Sequence, residues 1–304
     1  MNTLSVTLGT LVDRTLQRLE GSNDRALVTT ILDAMTTATT DITVADAGGI
    51  SVSDVLEIDS ECMLVTNKTD DAVPVITVSR AYYFSTAATH ADNSVVTVNP
   101  RYPRVRIATA VKSAFGRMEA LGLPMVTTDT YNRVTDDKYV ILPEATRDVL
   151  AVYYTADDGR IWAVDGWTFI DALDTGVYSS GKGLRIPRYI QNADDIMVVT
   201  RTPYRWSTHP TDPVDASTMT VYEGTEDIPC LYACAWLLAS REISRMNVER
   251  SEEWNQGEAS RGGVSASVLR LQWQEFYRSL DEARRLVPAM PTHRPYKRTP
   301  RWTK

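Results

Sequence analysis

The chain predicts an α+β fold: a four-helix bundle interrupted by two all-β inserts and followed by an extended C-terminal arm. Three observations carry this. Apolar residues recur at helical spacing in four separate segments. Short β-branched runs fill the two long stretches between them. The last 17 residues, Pro288 to Lys304, hold four prolines and no acid. Proline fixes φ and removes a backbone donor, so that segment is neither helix nor central strand; it reads as an extended, polyproline-like arm.

Taken in order, Leu4, Leu8, Leu11, Thr15 and Leu19 form one helical stripe that Gly21 ends. From Asp24 to Asn99 the period shortens to two. Runs such as Val55-Leu-Glu-Ile, Met63-Leu-Val-Thr and Val75-Ile-Thr-Val-Ser alternate with turns at Asp46-Ala-Gly-Gly49 and Thr69-Asp-Asp71. Pro100 and Pro103 close this small β insert. Ile107, Val111, Ala114, Met118 and Leu121 then step at 4, 3, 4, 3, and Gly122 stands where a C-cap glycine belongs.

A second β region runs from Val126 to Trp206 and reads as a sandwich or jelly roll. Its best hairpin signal is Ala156-Asp-Asp-Gly159. Thr225 can cap a third helix, with Glu226, Asp227 and Pro229 in its opening turn. Leu269, Trp273, Phe276, Leu280, Ala283 and Val287 form the near-heptad seam of a fourth. Helices with one apolar face each pack most economically on one another. The helical core is therefore assigned to 1–22, 101–124 and 222–287, the small β insert to 24–100, the sandwich-like insert to 125–210 and the arm to 288–304.

Charge is divided unevenly. The formal sum is −7, but residues 1–287 carry −12 and the arm +5. Phosphate affinity comes mainly from Lys and Arg, so an acidic body does not wrap DNA. The arm alone could bind phosphate, and five neutralised phosphates would give a log–log salt slope of about −4.5. An acidic protein groove is an equally good partner, and a solvated tail with no role is the plainest alternative. Against that tail stand Tyr296 and Trp302, costly to leave in water and typical of interface anchors. Three cysteines, Cys62, Cys230 and Cys234, fit a reducing compartment rather than a disulfide framework. No basic-then-apolar leader opens the chain and no apolar run reaches a membrane-spanning length, so synthesis in the cytoplasm is expected.

The chemistry-bearing residues do not assemble into a catalytic set. His90, His209 and His293 lack metal-ligand spacing, and Cys230 with Cys234, one helical turn apart, reads as core. Ser179-Ser-Gly-Lys-Gly183 continues as strand instead of opening a helix, so it reads as a turn and not a phosphate loop. The pairs Asp136-Asp137, Asp157-Asp158 and Asp194-Asp195 fall at turns without EF-hand spacing. No catalytic residue, cofactor or metal is assigned, and the chain is read as a non-enzyme. Trp162, Trp167 and Tyr178 could stack on a sugar, which leaves a carbohydrate-binding module as the alternative reading.

The first β insert contains Leu56-Glu-Ile-Asp-Ser-Glu-Cys-Met-Leu-Val65, Val78-Ser-Arg-Ala-Tyr82, Ser85-Thr-Ala-Ala-Thr-His90 and Val95-Val-Thr-Val-Asn-Pro100. This resembles a recurring phage virion pattern: a strand near Glu-x-Met-x-Val, an arginine turn, and a Thr-Ala-Ala-x-His loop. That pattern usually has glycine after the arginine and again just before the threonine, where this chain has Ala81 and Ser85. With helices near the start, middle and end and a C-terminal arm, the chain resembles the head-to-tail adaptor (connector) proteins of long-tailed bacteriophages. The resemblance implies a structural protein of the virion neck, made in the host cytoplasm. It implies a homo-oligomeric ring, usually of twelve copies, below the portal protein and above a downstream tail-completion protein. DNA would pass through the lumen without sequence-specific contact, and no membrane is involved. By position in the arm, Arg294, Tyr296, Lys297, Arg298, Arg301 and Trp302 would be the portal-binding residues.

Overall fold

The computed structural model describes residues 3–20, 27–71, 73–132, 139–155, 159–187, 195–205, 217–239 and 263–286. Strand β1 (Thr3–Thr7) runs directly into helix α1 (Leu8–Glu20). Six strands follow: β2 (Leu27–Thr30), β3 (Asp41–Thr43), β4 (Val55–Ile58), β5 (Glu61–Lys68), β6 (Val75–Tyr82) and β7 (Val95–Val98). After α2 (Arg104–Ala120) come β8 (Met125–Asn132), β9 (Val140–Ile141), β10 (Asp148–Thr155), β11 (Ile161–Ala163), β12 (Thr168–Ile170), β13 (Gly183–Arg185) and β14 (Asp195–Thr202). Then β15 (Thr218–Tyr222), α3 (227–239) and α4 (Gly263–Leu286) complete the described chain. The elements divide into two compact units, Met1–Met118 with Arg205–Glu282 and Glu119–Tyr204 with Ala283–Lys304.

The expected four-helix bundle is not there. The fold is mixed α/β with antiparallel sheets, about 36% strand against 27% helix. One reason lies at the start of the chain. Thr3-Leu-Ser-Val-Thr7 alternates like a strand, and β1 pairs with β15 in the register Leu4↔Val221 and Val6↔Met219. The Leu4–Leu8 spacing that looked helical spans a strand–helix junction. The other reason lies in α2, which buries Val105, Ile107, Ala108, Ala110, Val111, Ala114, Phe115 and Met118. At about 100° per residue those positions cover well over half the helix circumference, so α2 is not a one-faced bundle helix.

Instead α3 packs on both α1 and α4. Against α1, α3 sets the Cys230 thiol 3.5 Å from Leu11 O and the Cys234 thiol 3.7 Å from Thr15 O. Tyr232 of α3 meets Trp273 and Phe276 of α4 edge-on, with ring centroids 5.6 and 5.4 Å apart. At the end of α2, Gly122 has φ +88°, the left-handed C-cap for which glycine suits best.

Residues 27–98 form a closed barrel. Its strand order is β2-β7-β4-β5-β6-β3. The two ends of that order meet through an Ile31↔Val44 bridge, with Leu32 N donating to Thr43 O (3.0 Å) and Ala45 N to Thr30 O (2.8 Å). Closure joins both edge strands and removes the template for stray strand addition. Inward positions, among them Ile31, Ile42, Leu56, Ile58, Met63, Val65, Ile76 and Val96, make one apolar core. Each such side chain, fully buried, contributes roughly 1.5–3 kcal/mol.

The second unit is built from two open sheets, β11-β10-β14-β8 and β12-β13-β9. The hairpin expected around Gly159 is the β10–β11 pair, in register Thr155↔Ile161. Val149, Val152, Ile196 and Val198 from one sheet share a core with Leu184 from the other, and Trp167 and Phe169 pack against it.

Candidate functional site

The most constrained place in the described chain is one end of the barrel, where three separate stretches of sequence converge. The tight turn after β4 leads into Glu61. Arg80 lies near the end of β6. His90 lies in the crossing to β7 and is bridged to Met35 in both directions, N to O at 3.0 Å and O to N at 2.8 Å. Strand alternation explains the burial. Glu61 shares an inward-facing row with Met63 and Val65, and Arg80 shares one with Ile76 and Val78. The Glu61 side chain is 1% exposed, Arg80 8% and His90 1%.

Every guanidinium hydrogen of Arg80 has an acceptor. Nε donates to Glu61 Oε1 (2.6 Å), and Nη2 to Glu61 Oε2 (2.7 Å) and Ala88 O (2.6 Å). Nη1 donates to Thr36 O and Thr39 O, both at 2.8 Å. Five donors meet five acceptors, in the bidentate geometry that makes Arg–carboxylate pairs strong. Glu61 also accepts from Ala88 N (2.9 Å) and Ala81 N (3.3 Å).

His90 completes the cluster, with Nε2 3.0 Å from Glu61 Oε2 and Nδ1 2.9 Å from Asp59 Oδ2. A carboxylate at each ring nitrogen favours a proton on each, and in that imidazolium form the four charges cancel. Burial works against ionisation of Glu61, but the bonds from Arg80, His90 and Ala88 N outweigh it and hold the carboxyl down at about 2. Burial likewise opposes a charged His90, and Glu61 and Asp59 overcome it to raise its pKa.

This cluster fixes the backbone of a strained loop. Ala81, Tyr83 and Phe84 have φ of +57°, +53° and +63°. At Ala81 the left-handed φ is one that glycine adopts without steric cost and alanine does not. The Ser85 hydroxyl accepts from Cys62 N (3.0 Å) and donates to Tyr82 O (2.8 Å). The result is a pinned turn with Phe84 at its tip, fully exposed at 102%.

The residues singled out in the sequence fall elsewhere. Arg294, Tyr296, Lys297, Arg298, Arg301 and Trp302 lie outside the described residues, as do His209 and His293. Trp162 is on β11 and half exposed, while Trp167 packs on the core of the second unit and Tyr178 meets Tyr139 edge-on at 5.5 Å. Lys182 of the Ser179–Gly183 turn donates to Thr146 O. All three thiols are buried; Cys62 and Cys234 are pushed up to about 12, chiefly by desolvation, and stay protonated. Glu57 accepts from Arg104 N (2.6 Å) and so caps α2 with a barrel side chain.

Among the described residues no group of His, Cys, Asp and Glu is arranged to hold a metal ion, and no helix is long and apolar enough to cross a membrane. No protein-family model matches the chain, and no curated protein matches it.

Proposed function

We propose that this chain is a structural protein of a phage virion that works as a head-to-tail adaptor, assembling as a ring of copies under the portal. The observation that carries the reading is the Glu61–Arg80–His90 cluster. Its residues are those through which the sequence resembles virion proteins, and their hydrogen bonds are spent inside the barrel. A site for turnover keeps a donor, base or nucleophile aimed at a substrate. This one spends its charges on holding a loop in shape, as a part that carries load or presents a contact requires.

Two further features fit assembly. The α4 helix buries Phe276, Leu280 and Ala283 yet leaves Val268, Leu271 and Tyr277 exposed, so it keeps apolar surface for a neighbour. The chain then continues into the basic stretch 288–304, a +5 segment on a −12 body. In a ring each such segment adds one docking site, and after the first docks the rest bind at high effective concentration.

The test is cosedimentation with the portal protein encoded in the same genome, comparing the full chain with a truncation ending at Val287. Portal-capped rings from the full chain alone support both the adaptor reading and the role of the arm. Equal binding by the truncation moves the portal contact to the folded units. No binding by either removes the adaptor reading.

A further inference from the structure

We infer that Phe84 is an anchor between copies: in the assembly it seats on the outer wall of the neighbouring barrel, against Val28, Leu32 and Val95. The inference deepens the adaptor reading and rests on its ring of copies.

The loop supplies the first part of the argument. A phenylalanine with a left-handed backbone and no intramolecular cover is costly twice, in strain and in apolar exposure. The cluster and Ser85 hold it there regardless. Backbone strain of this kind persists where the surrounding structure over-determines it, which marks a loop built to present its tip.

Topology supplies the second part. In the closed order β2-β7-β4-β5-β6-β3, the strand three places from β6 is β7. Phe84 follows β6, so it stands across the barrel from the β2–β7 wall. On that wall Thr29, Ile31 and Val96 point inward, and Val28, Leu32 and Val95 point out and are about half exposed. Thr30 and Thr97 lie between them in the paired register. A knob on one side and an apolar seat on the other is the arrangement of a heterologous, head-to-tail contact that closes a ring.

Within a ring of copies, charge restricts where two copies can meet, and this contact satisfies the restriction. Residues 1–287 carry −12, so copies repel wherever ionised surfaces meet. Neither the Ala81–Thr89 loop nor the Val28–Leu32–Val95 patch includes a charged side chain, so this contact buries no unpaired charge. Phe84 can bury roughly 150–250 Å², and Tyr83, already partly covered by Tyr82, adds less. A stable pair needs about 800 Å² per partner. The contact is therefore too small to hold two free copies and becomes useful where each copy also touches a second neighbour and the portal.

The experiment places a benzophenone-bearing phenylalanine at position 84 of the full chain. Equal amounts of ¹⁵N-labelled and unlabelled protein are mixed, both in portal complexes and at high concentration alone, then irradiated. Mixed-isotope adducts mapping to residues 27–32 or 94–97 are expected. Adducts only within one chain, adducts elsewhere, or none in either sample overturn the inference. Phe84→Gly is the second arm. It relieves the left-handed strain, so the fold keeps or gains stability while ring formation on the portal falls at least tenfold. Unchanged ring formation also overturns the inference. Portal binding by the wild type without mixed adducts leaves the adaptor reading standing and removes the anchor. Mixed adducts at the β2–β7 wall without portal binding do the reverse.

Discussion

The two β regions of this chain solve the same problem in opposite ways. The barrel closes its wall, and at its end it buries two carboxylates' partners in a cluster where every guanidinium hydrogen finds an acceptor. The second unit leaves its sheets open and relies on an apolar core. In it Thr146 Oγ1 and Arg201 Nε are buried without a hydrogen-bond partner among the described residues. Buried polar groups stabilise only when fully paired and cost free energy when not. The barrel should therefore be the brittle region, strong until one partner is removed, and the second unit the tolerant one.

The largest break in that comparison is Arg80→Ala. It leaves the Glu61 carboxylate buried without its bidentate partner, a change that costs about 3–5 kcal/mol. Amide hydrogen exchange followed by mass spectrometry should show protection lost across 27–98 and kept across 125–202. The matched control is Arg147→Ala, whose pairing with Glu119 involves a largely exposed arginine. There the loss should stay within about 1 kcal/mol. Equal losses from the two substitutions would remove the distinction between the regions.

Next in size is the pH dependence. Glu61 has its pKa lowered from 4.5 to about 2, so its contribution is complete above pH 4.5 and is lost as the pH falls toward 2. His90 has its pKa raised above 6.5, so its contribution is complete below pH 6.5 and is lost as the pH rises through the folded value. Barrel stability should peak between about pH 4.5 and 6.5, with an acid limb on the order of 3 kcal/mol. Urea midpoints read from the amide NMR signals of residues 27–98 would trace it, since only two of the 14 tyrosines, Tyr82 and Tyr83, lie there. His90→Asn should abolish the alkaline limb and shrink the acid one without removing it, since Arg80 and Ala88 N still hold the Glu61 carboxyl down.

A smaller effect, of the opposite sign, is expected at the strained loop. The left-handed conformation costs a non-glycine residue roughly 1–2 kcal/mol, and glycine returns about 0.5–1 of that as unfolded-chain entropy. Ala81→Gly should therefore stabilise the barrel by about 0.5–1 kcal/mol, read as a higher urea midpoint at unchanged slope. A loss would show that the Ala81 methyl is packed and not merely tolerated.

Much of this was legible in the chain. The strands of 24–100, the helix ending at Gly122 and the β10–β11 hairpin follow from period and turn chemistry. The bundle does not follow because a four-residue step from Leu4 to Leu8 is the same number in a continuous helix and across a strand–helix junction. Only the partner, β15, more than 200 residues away, separates the two. The cluster was visible in principle. Glu61 stands in phase with Met63 and Val65, and Arg80 with Ile76 and Val78, so a charge in an inward row demanded a partner in another. Which charge met which depended on barrel closure, a long-range property that local periodicity does not carry. Phe84 had no signal beyond its position, because nothing local distinguishes an exposed phenylalanine from a buried one.

The finest test of the comparison applies one substitution to both regions. Thr146 is fully buried and its hydroxyl has no partner among the described residues, so Thr146→Val replaces an unpaired polar atom with a methyl of similar size. The backbone contacts of Thr146, its N to Pro143 O and its O from Lys182, are untouched. Removing an uncompensated hydroxyl should stabilise the second unit by about 1 kcal/mol. In the barrel, Thr29 is also buried, but its hydroxyl accepts from Asp46 N at 2.9 Å. Thr29→Val leaves that amide without an acceptor and should cost about 1–2 kcal/mol. Thermal unfolding of the two variants should thus shift in opposite directions, although the atoms exchanged are identical. If both shift the same way, pairing is not what separates the regions, and closure of the barrel wall alone must account for the difference between them.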